Sequence, residues 1–227
     1  MAESLEQAWE LNQKGRNNII IGGNLWLKMG RRNIINAIDL SSLGLDKIEE
    51  DEGGFRIGCM ATLHDIETHE GLNKEFQNLF KEAVRHIVGV QFRNCATIGG
   101  SIFPKLGFSD VLTAFLACDT QVILYKKGEV PLREFIYIPT DNDILTHLYV
   151  KKDGRKTAYE SFRMTETDFP TITCAMAKTQ DGFETVLGAR PKHAEVVVDE
   201  VVADAFSSEE VADYAKRVIG KLQYGSN

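Results

Sequence analysis

The chain has no C-x-x-C pair, and its four cysteines, Cys59, Cys95, Cys118 and Cys174, lie far apart. That spacing excludes an iron–sulfur or zinc site of ordinary pattern. Each cysteine sits in apolar sequence, so each is expected to be a buried free thiol, and the reducing cytoplasm is the expected compartment. The five histidines, His64, His69, His86, His147 and His193, show no ligand spacing either. Surface or helix-cap roles are expected for them. No block of lysine and arginine is present to track a phosphate backbone, and the formal net charge is −7, which disfavours nucleic-acid binding. No apolar run approaches the roughly 18–20 residues of a membrane span. The polar opening MAESLEQAWELNQKG is expected not to be a secretory signal. Internal repeats, low-complexity tracts and a clear linker are also missing, so close packing of any lobes is expected.

What is there is an ordinary globular composition of 227 residues, 43% hydrophobic and 26% charged. Ser4-x-x-Gln7 has the capping-box pattern and opens an amphipathic helix that reaches Lys14 and is closed by Gly15. NNIII (Asn17–Ile21) reads as a short buried strand, NIINAIDL (Asn33–Leu40) as a second, and FRIGCM (Phe55–Met60) as a third after the turn Asp51-Glu52-Gly53-Gly54. Thr62 caps a short helix, LHDIE, with Asp65 in its first turn. In NKEFQNLFKEAVRHIV, residues Phe76, Leu79, Phe80, Ala83, Val84 and Ile87 recur at helical spacing, which predicts one face of one helix. Asp110 heads VLTAFLAC, apolar nearly all round and therefore expected to be a buried helix. TQVILY and ILTHLYV (Ile144–Val150) read as strands, and KKGEV as a turn. From Lys151 onward TAYESFRM, TITCAMAK and FETVLGAR read as strands joined by tight turns, including Asp181-Gly182. Ser207-x-x-Glu210 then caps a helix, VADYAKRVIGKL. Interleaved strands and helices followed by a hairpin-rich block suggest an α/β part and then an α+β part.

Two glycine pairs follow β-branched runs: Gly22-Gly23 in NIIIGGNLWL and Gly99-Gly100 in NCATIGGSIF. Glycine tolerates positive φ and lets a ligand come within reach of backbone N–H groups. A loop of such groups at a helix start is an anion site. Gly22-Gly23-Asn24 precedes the helix-like LWLKM, and Thr97-Ile98-Gly99-Gly100-Ser101 offers two backbone donors between two hydroxyls. Facing each other, the loops could clasp a pyrophosphate through charge-assisted hydrogen bonds of about 1.5–3 kcal/mol each. Turn punctuation is the plainer reading of either pair alone. Neither fits G-x-G-x-x-G or G-x-x-x-x-G-K-[ST], which excludes the Rossmann and P-loop readings.

The segments IIIGGNLWLKM, IDLSSLGLDKIEEDEGGFRIGCMATLHDIE and VGVQFRNCATIGGSIFPKLGFSDVLTAFLACDTQVILY resemble the FAD-binding subunit of the xanthine dehydrogenase and carbon monoxide dehydrogenase family of molybdenum hydroxylases. YESFRMTETDFPTITCAMA and VLGARPKHAEVV resemble the C-terminal domain of the same flavoproteins. The resemblance runs in order along nearly the whole chain, and RNCATIGGSI is its most specific part. It implies an α+β fold: a two-lobed FAD-binding domain of the PCMH/VAO type, over 1–56 and 57–150, then a CO dehydrogenase flavoprotein C-terminal-like α+β domain over 151–227. It also implies that Ile21, Gly22, Gly23, Asn24 and Leu25 form a first pyrophosphate loop, and Thr97, Ile98, Gly99, Gly100 and Ser101 a second. Ser101 stands where family members usually have Asn, so an altered hydrogen bond is expected there. Asp110 matches an acidic residue that helps hold the cofactor's polar spine, with a helix N-cap as its other reading. Ile87 matches an apolar contact to FAD, with a core role as its other reading.

Arg163 matches a basic position near the isoalloxazine ring, where a cation would favour the anionic reduced flavin; a solvated or ion-paired residue is the plainer reading. Trp26 is assigned to core packing in preference to flavin stacking, because its neighbours are apolar. Two departures stand out. IYIPTDNDIL, between Phe135 and Leu145, is shorter than the family's loop, so flavin shielding or acceptor choice would differ. KLQYGSN stands where the family continues into a final helix, so a truncated end is expected.

The function implied is that of an FAD-dependent oxidoreductase subunit of a molybdenum hydroxylase. Electrons would come from a molybdopterin catalytic subunit through a two-iron two-sulfur subunit and leave to an acceptor, NAD. The chemistry belongs to FAD, so no residue of the chain is expected to act as nucleophile or general base. Two alternatives stay open. One is a flavin-free scaffold or assembly subunit of the same fold, favoured by Ser101 and the short 135–145 loop. The other is a stand-alone VAO-type flavin reductase, which would need acid–base groups that the sequence does not offer.

Overall fold

The structure, a computed structural model, describes residues 1–189 and 194–199. The expected helix behind Ser207-x-x-Glu210, the stretch KLQYGSN and His193 lie outside the described residues. Helix α1 (Leu5–Gln13) starts where the Ser4 hydroxyl accepts the Gln7 N–H at 3.1 Å. The Gln7 side chain accepts the Glu3 N–H at 2.7 Å, one residue before the cap, so the expected capping box is not formed as patterned. Lys14 ends the helix, not Gly15. Strand β1 (Asn18–Ile21), helix α2 (Leu25–Met29) and strand β2 (Asn36–Asp39) follow, the two strands pairing in parallel. The first strand is half-buried rather than buried, and the second covers only the later part of Asn33–Leu40.

Strand β3 (Ile48–Glu50), which the sequence reading missed, pairs antiparallel with β4 (Gly54–Gly58) across the expected turn. There the Asp51 carboxylate accepts the N–H groups of Gly53 and Gly54 at 2.8 Å each. The expected boundary between residues 56 and 57 falls inside β4. Helix α3 (Leu63–Thr68) has the full capping box, with Thr62 and Asp65 each binding the other's backbone N–H.

The single helix expected over NKEFQNLFKEAVRHIV is instead two, α4 (Glu70–Glu75) and α5 (Leu79–Val84), parted at Gln77 and Asn78 with φ of 47° and 64°. Left-handed backbone is unfavourable for Gln77, though Asn78 tolerates it. Buried Asn73 offsets that cost by pinning the corner. Its amide donates to the carbonyls of Ile66, Glu67 and His69, and its Oδ1 accepts the Lys81 N–H. The break still leaves Phe76, Leu79, Phe80, Ala83 and Val84 buried, as their spacing predicts, while Ile87 is half-buried.

Helices α6 (Val90–Arg93), α7 (Ile98–Ile102) and α8 (Asp110–Leu116) come next, and every residue of α8 is buried, as its sequence predicts. Strand β5 (Thr120–Leu124), strand β6 (Gly128–Pro131), helix α9 (Leu132–Phe135) and strand β7 (Leu145–Lys151) complete a five-stranded antiparallel sheet in the order β3-β4-β7-β5-β6. KKGEV is therefore part turn and part strand. Strands β8 (Lys156–Arg163), β9 (Pro170–Lys178), β10 (Phe183–Gly188) and β11 (Glu195–Asp199) form a second, antiparallel sheet in chain order. Helices α5 and α8 pack against that second sheet. The rings of Phe55, Phe76, Phe80 and Phe115 run from the first sheet to α8, with centroids 6.1, 5.5 and 4.6 Å apart. The architecture is the expected α+β class. Among the described residues no helix is long and apolar enough to cross a membrane.

Two expectations about polar side chains change. Cys59 and Cys118 are buried and Cys174 is half-buried, but Cys95 is exposed. His69 caps α4 as expected, accepting the Leu72 N–H, whereas His147 is a half-buried strand residue with an unpartnered Nδ1.

Buried Arg93 on α6 grips Glu67 on α3 through Nε and Nη2 at 2.8 and 3.0 Å, with His64 Nδ1 3.2 Å from the same carboxylate. Burial raises the Glu67 carboxyl, but the bonds from Arg93 and His64 outweigh it and hold the group below its ordinary value. A lowered carboxyl contributes stability that is present above the unfolded pKa and is lost as pH falls through the folded one. The urea midpoint of the wild type is therefore expected to drop more steeply on acidification than that of Glu67→Gln. Parallel midpoint curves for the two proteins would count against this pairing.

Candidate functional site

A cleft of about 740 Å³ is bounded by the β1–α2 turn, the α7–α8 region and the β8–β9 hairpin. That size lies within the roughly 300–1,000 Å³ of ligand sites. The chain leaves β1 at Ile21 and turns through Gly22 and Gly23 to Asn24, whose left-handed φ of 58° starts α2. Among the described residues, the backbone N–H groups of Gly22, Gly23, Asn24 and Leu25 form no hydrogen bond with the protein, and the Asn24 side chain does not cap α2. Uncommitted amides in series on a cleft wall are an anion-binding arrangement.

The glycines of this turn serve a purpose the sequence reading did not foresee. A Cβ on Gly23 would lie 1.7 Å from the Cys95 carbonyl oxygen, and one on Gly22 would lie 2.3 Å from Thr97 Oγ1. Bare backbone lets the first loop lie directly on the second. The second pair is not a loop after a strand. Thr97 caps α7, and Gly99-Gly100 belong to its first turn.

The N–H of Ile98 donates to the Ala61 carbonyl and that of Gly99 to the Cys59 carbonyl, both at 2.8 Å. Gly100 donates to Thr97 Oγ1 at 3.2 Å, and Ser101 to the Thr97 carbonyl at 3.1 Å. The expectation of two free backbone donors at Gly99 and Gly100 is therefore corrected, and with it the clasp by amides from both sides. Pairing of residues 96–99 with 59–63 has consumed the first, and the Thr97 cap of α7 the second. The second loop lines the cleft with the hydroxyls of Thr97 and Ser101 instead, although the Ser101 proton is already donated to the Thr97 carbonyl at 2.9 Å.

The fold brings nearly all the expected positions to this one cleft. Ile21, Gly22, Gly23, Asn24 and Leu25 line it, as do Thr97, Gly99, Gly100 and Ser101. Asp110, Arg163, Ile87 and Trp26 line it too, whereas Ile98 is fully buried and does not. Residues 140–145 of the short 135–145 stretch also reach it. Asp143 there fixes the turn by accepting the N–H groups of Lys126 and Lys127 at 3.1 and 3.0 Å. Cys59 is on the wall as well, and burial pushes its thiol up to about 12, so it stays protonated. Among the described residues no group of three His, Cys, Asp or Glu side chains is placed to hold a metal ion.

Ser109, not Asp110, caps α8; Asp110 is the first residue of the helix. Its carboxylate accepts the Tyr159 hydroxyl at 2.6 Å and pairs with Arg163 Nη2. Arg163 Nη1 donates to the Asp168 carbonyl at 2.6 Å, and its Nε is buried without a partner. Burial pushes the Asp110 carboxyl above its ordinary value, and the bonds from Tyr159 and Arg163 offset only part of this. An unpaired buried donor costs free energy until something accepts it.

Trp26 departs from the core role assigned to it. It is 41% exposed, and its ring lies 5.5 Å and 28° from that of Phe169, 5.5 Å from Phe108 and 6.4 Å from Phe92. The three phenylalanines come from separate segments of the chain, and no local pattern marked them out.

A family model described as the FAD binding domain in molybdopterin dehydrogenase matches residues 1–150. The protein YgfM of Escherichia coli (strain K12) is 26% identical over 189 residues, which cover 82% of this chain and 71% of that protein. The glyceraldehyde dehydrogenase medium chain of Sulfolobus acidocaldarius is 25% identical over 243 aligned residues, covering 97% of this chain and 86% of that one. Among solved structures, a carbon monoxide dehydrogenase from Hydrogenophaga pseudoflava has a chain that matches with a TM-score of 0.84 at 21% identity, covering 100% of this chain and 87% of that one. At that identity the likeness shows a shared fold.

Proposed function

The chain belongs to the family of FAD-binding domains in molybdopterin dehydrogenases, and from that premise we propose that it is the FAD-binding oxidoreductase subunit of a molybdenum hydroxylase. The observation that carries this reading is the run of uncommitted amides from Gly22 to Leu25 on the wall of the cleft. Those amides suit the diphosphate of a dinucleotide, and the Thr97 and Ser101 hydroxyls lie on the same wall. Apolar and aromatic side chains such as Ile20, Met60, Leu63 and Phe108 share the rest of the wall with polar ones such as Asn12, Asn18 and Asp141, the mixed make-up of a cofactor site. When bound, FAD supplies the two-electron chemistry. The chain's own residues bind, orient and shield, and the protonated Cys59 thiol takes no nucleophilic part.

By the same reading the protein works in the cytoplasm. It receives electrons from a molybdopterin catalytic subunit through a two-iron two-sulfur subunit and passes them to NAD. Membership of the family and the dehydrogenase name of a relative support the place of the chain as one subunit of a molybdopterin dehydrogenase.

The test is to load the purified full chain with FAD, remove excess by gel filtration and record its absorbance. A visible flavin spectrum is expected, with FAD identified by mass in what heat releases. A chain that stays colourless after loading overturns the reading. It would favour the flavin-free scaffold, for which the committed amides of Gly99 and Gly100 already speak.

A further inference from the structure

Trp26 sits two residues beyond Asn24, at the end of the run of free amides. Around it gather Phe108, from the segment before α8, and Phe169, from the β8–β9 hairpin, their own rings 4.7 Å apart. All three line the cleft, and Trp26 and Phe169 keep 41% and 52% of their surface exposed despite the contact. Aromatic side chains normally bury much of their surface, so three rings gathered from separate segments at the wall of one cleft, two of them exposed, need an account. The hairpin that delivers Phe169 is not loosely draped. Arg163 ties it down by bonding both the Asp168 carbonyl and buried Asp110.

We propose that Trp26, Phe108 and Phe169 form an aromatic seat for a planar heteroaromatic ring at one end of the dinucleotide. The proposal rests on the flavin reading above and adds to it which residues grip a ring. Both ends of FAD carry such a ring, isoalloxazine or adenine, and flat aromatic walls serve either through offset stacking. A ring on this seat would lie next to the amides suited to the diphosphate, so one short stretch, Gly22 to Trp26, would hold both parts of the ligand.

The test is FAD affinity by equilibrium dialysis for the wild type, Trp26→Leu, Phe169→Leu and Trp26→Phe, with thermal unfolding run alongside. Each leucine variant is expected to weaken FAD binding about tenfold, and Trp26→Phe to recover most of it. Phe169 is half exposed, so its leucine variant keeps the fold and guards against a misfolded Trp26→Leu.

Two signatures identify the ring. Brighter emission of bound flavin in Trp26→Leu means that the isoalloxazine contacts the indole. Unchanged emission with an equal loss of ADP affinity means that adenine does. Leucine variants that hold FAD as tightly as the wild type overturn the seat and leave the flavin reading standing. Weaker binding with neither signature marks a merely structural role and overturns the seat as well. A wild type that takes up no FAD overturns the flavin reading, and the seat with it.

Discussion

Gly23→Ala is expected to lose FAD affinity by about a hundredfold or more, although it adds a single methyl group. The new Cβ would lie 1.7 Å from the Cys95 carbonyl oxygen and 2.4 Å from its carbon, backbone atoms that no rotamer change can move. The first loop must then lift away from the second, and the free amides of Gly22 to Leu25 move with it. Misplacing two charge-assisted hydrogen bonds of about 1.5 kcal/mol each accounts for that factor. The same overpacking is expected to cost about 1–3 kcal/mol of stability, read as a lower urea midpoint. Gly15→Ala is the control. Gly15 does not line the cleft and its Cβ would meet nothing within 4 Å, so FAD retention close to wild type is expected. Equal FAD affinity in Gly23→Ala and the wild type would show that the first loop does not carry the binding.

That these positions share one cleft was legible in the sequence, and the hydrogen bonding within that candidate site was not. Both glycine pairs and Thr97 stand out from their local pattern, and the fold brings both to one cleft. Which amides are free, however, depends on residues 59–61. Their carbonyls capture the N–H groups of Ile98 and Gly99 from a distance in sequence that no motif spans. The close contact between the two loops is hidden for the same reason. A glycine that makes room for Cys95 looks identical in sequence to one that makes room for a ligand.

Elements with strong local signals are legible in the sequence, such as the Thr62 cap of α3 and the nearly all-apolar α8. The break between α4 and α5 was missed because apolar spacing runs straight across it. The determinant is the Asn73 side chain, which reaches back to α3 and forward to Lys81. Trp26 was misassigned because its apolar neighbours in sequence say nothing of Phe108 and Phe169, which only tertiary structure brings to it.

Arg163→Met is expected to cost about 3–5 kcal/mol of stability, the penalty for leaving one member of a buried ion pair without its partner. Asp110 is 4% exposed, and without Arg163 its carboxylate keeps only the Tyr159 hydroxyl at 2.6 Å. The variant also frees the β8–β9 hairpin, which Arg163 ties through the Asp168 carbonyl. The pH dependence should run opposite to that of Glu67. Burial already holds the Asp110 carboxyl above its ordinary value. A raised carboxyl binds protons more readily in the folded state, so stability increases as pH falls from the folded value toward the unfolded one. Removing Arg163 takes away a bond that lowers this carboxyl, so Arg163→Met should regain part of its loss on mild acidification, measured as urea midpoint against pH. The double variant Asp110→Asn/Arg163→Met leaves no buried charge behind. It should therefore be more stable than the sum of the two single losses predicts, because residues in direct contact are coupled. Strict additivity of the two single losses would mean that the pair is a coincidence of packing, and that something other than Asp110 anchors the hairpin over the cleft.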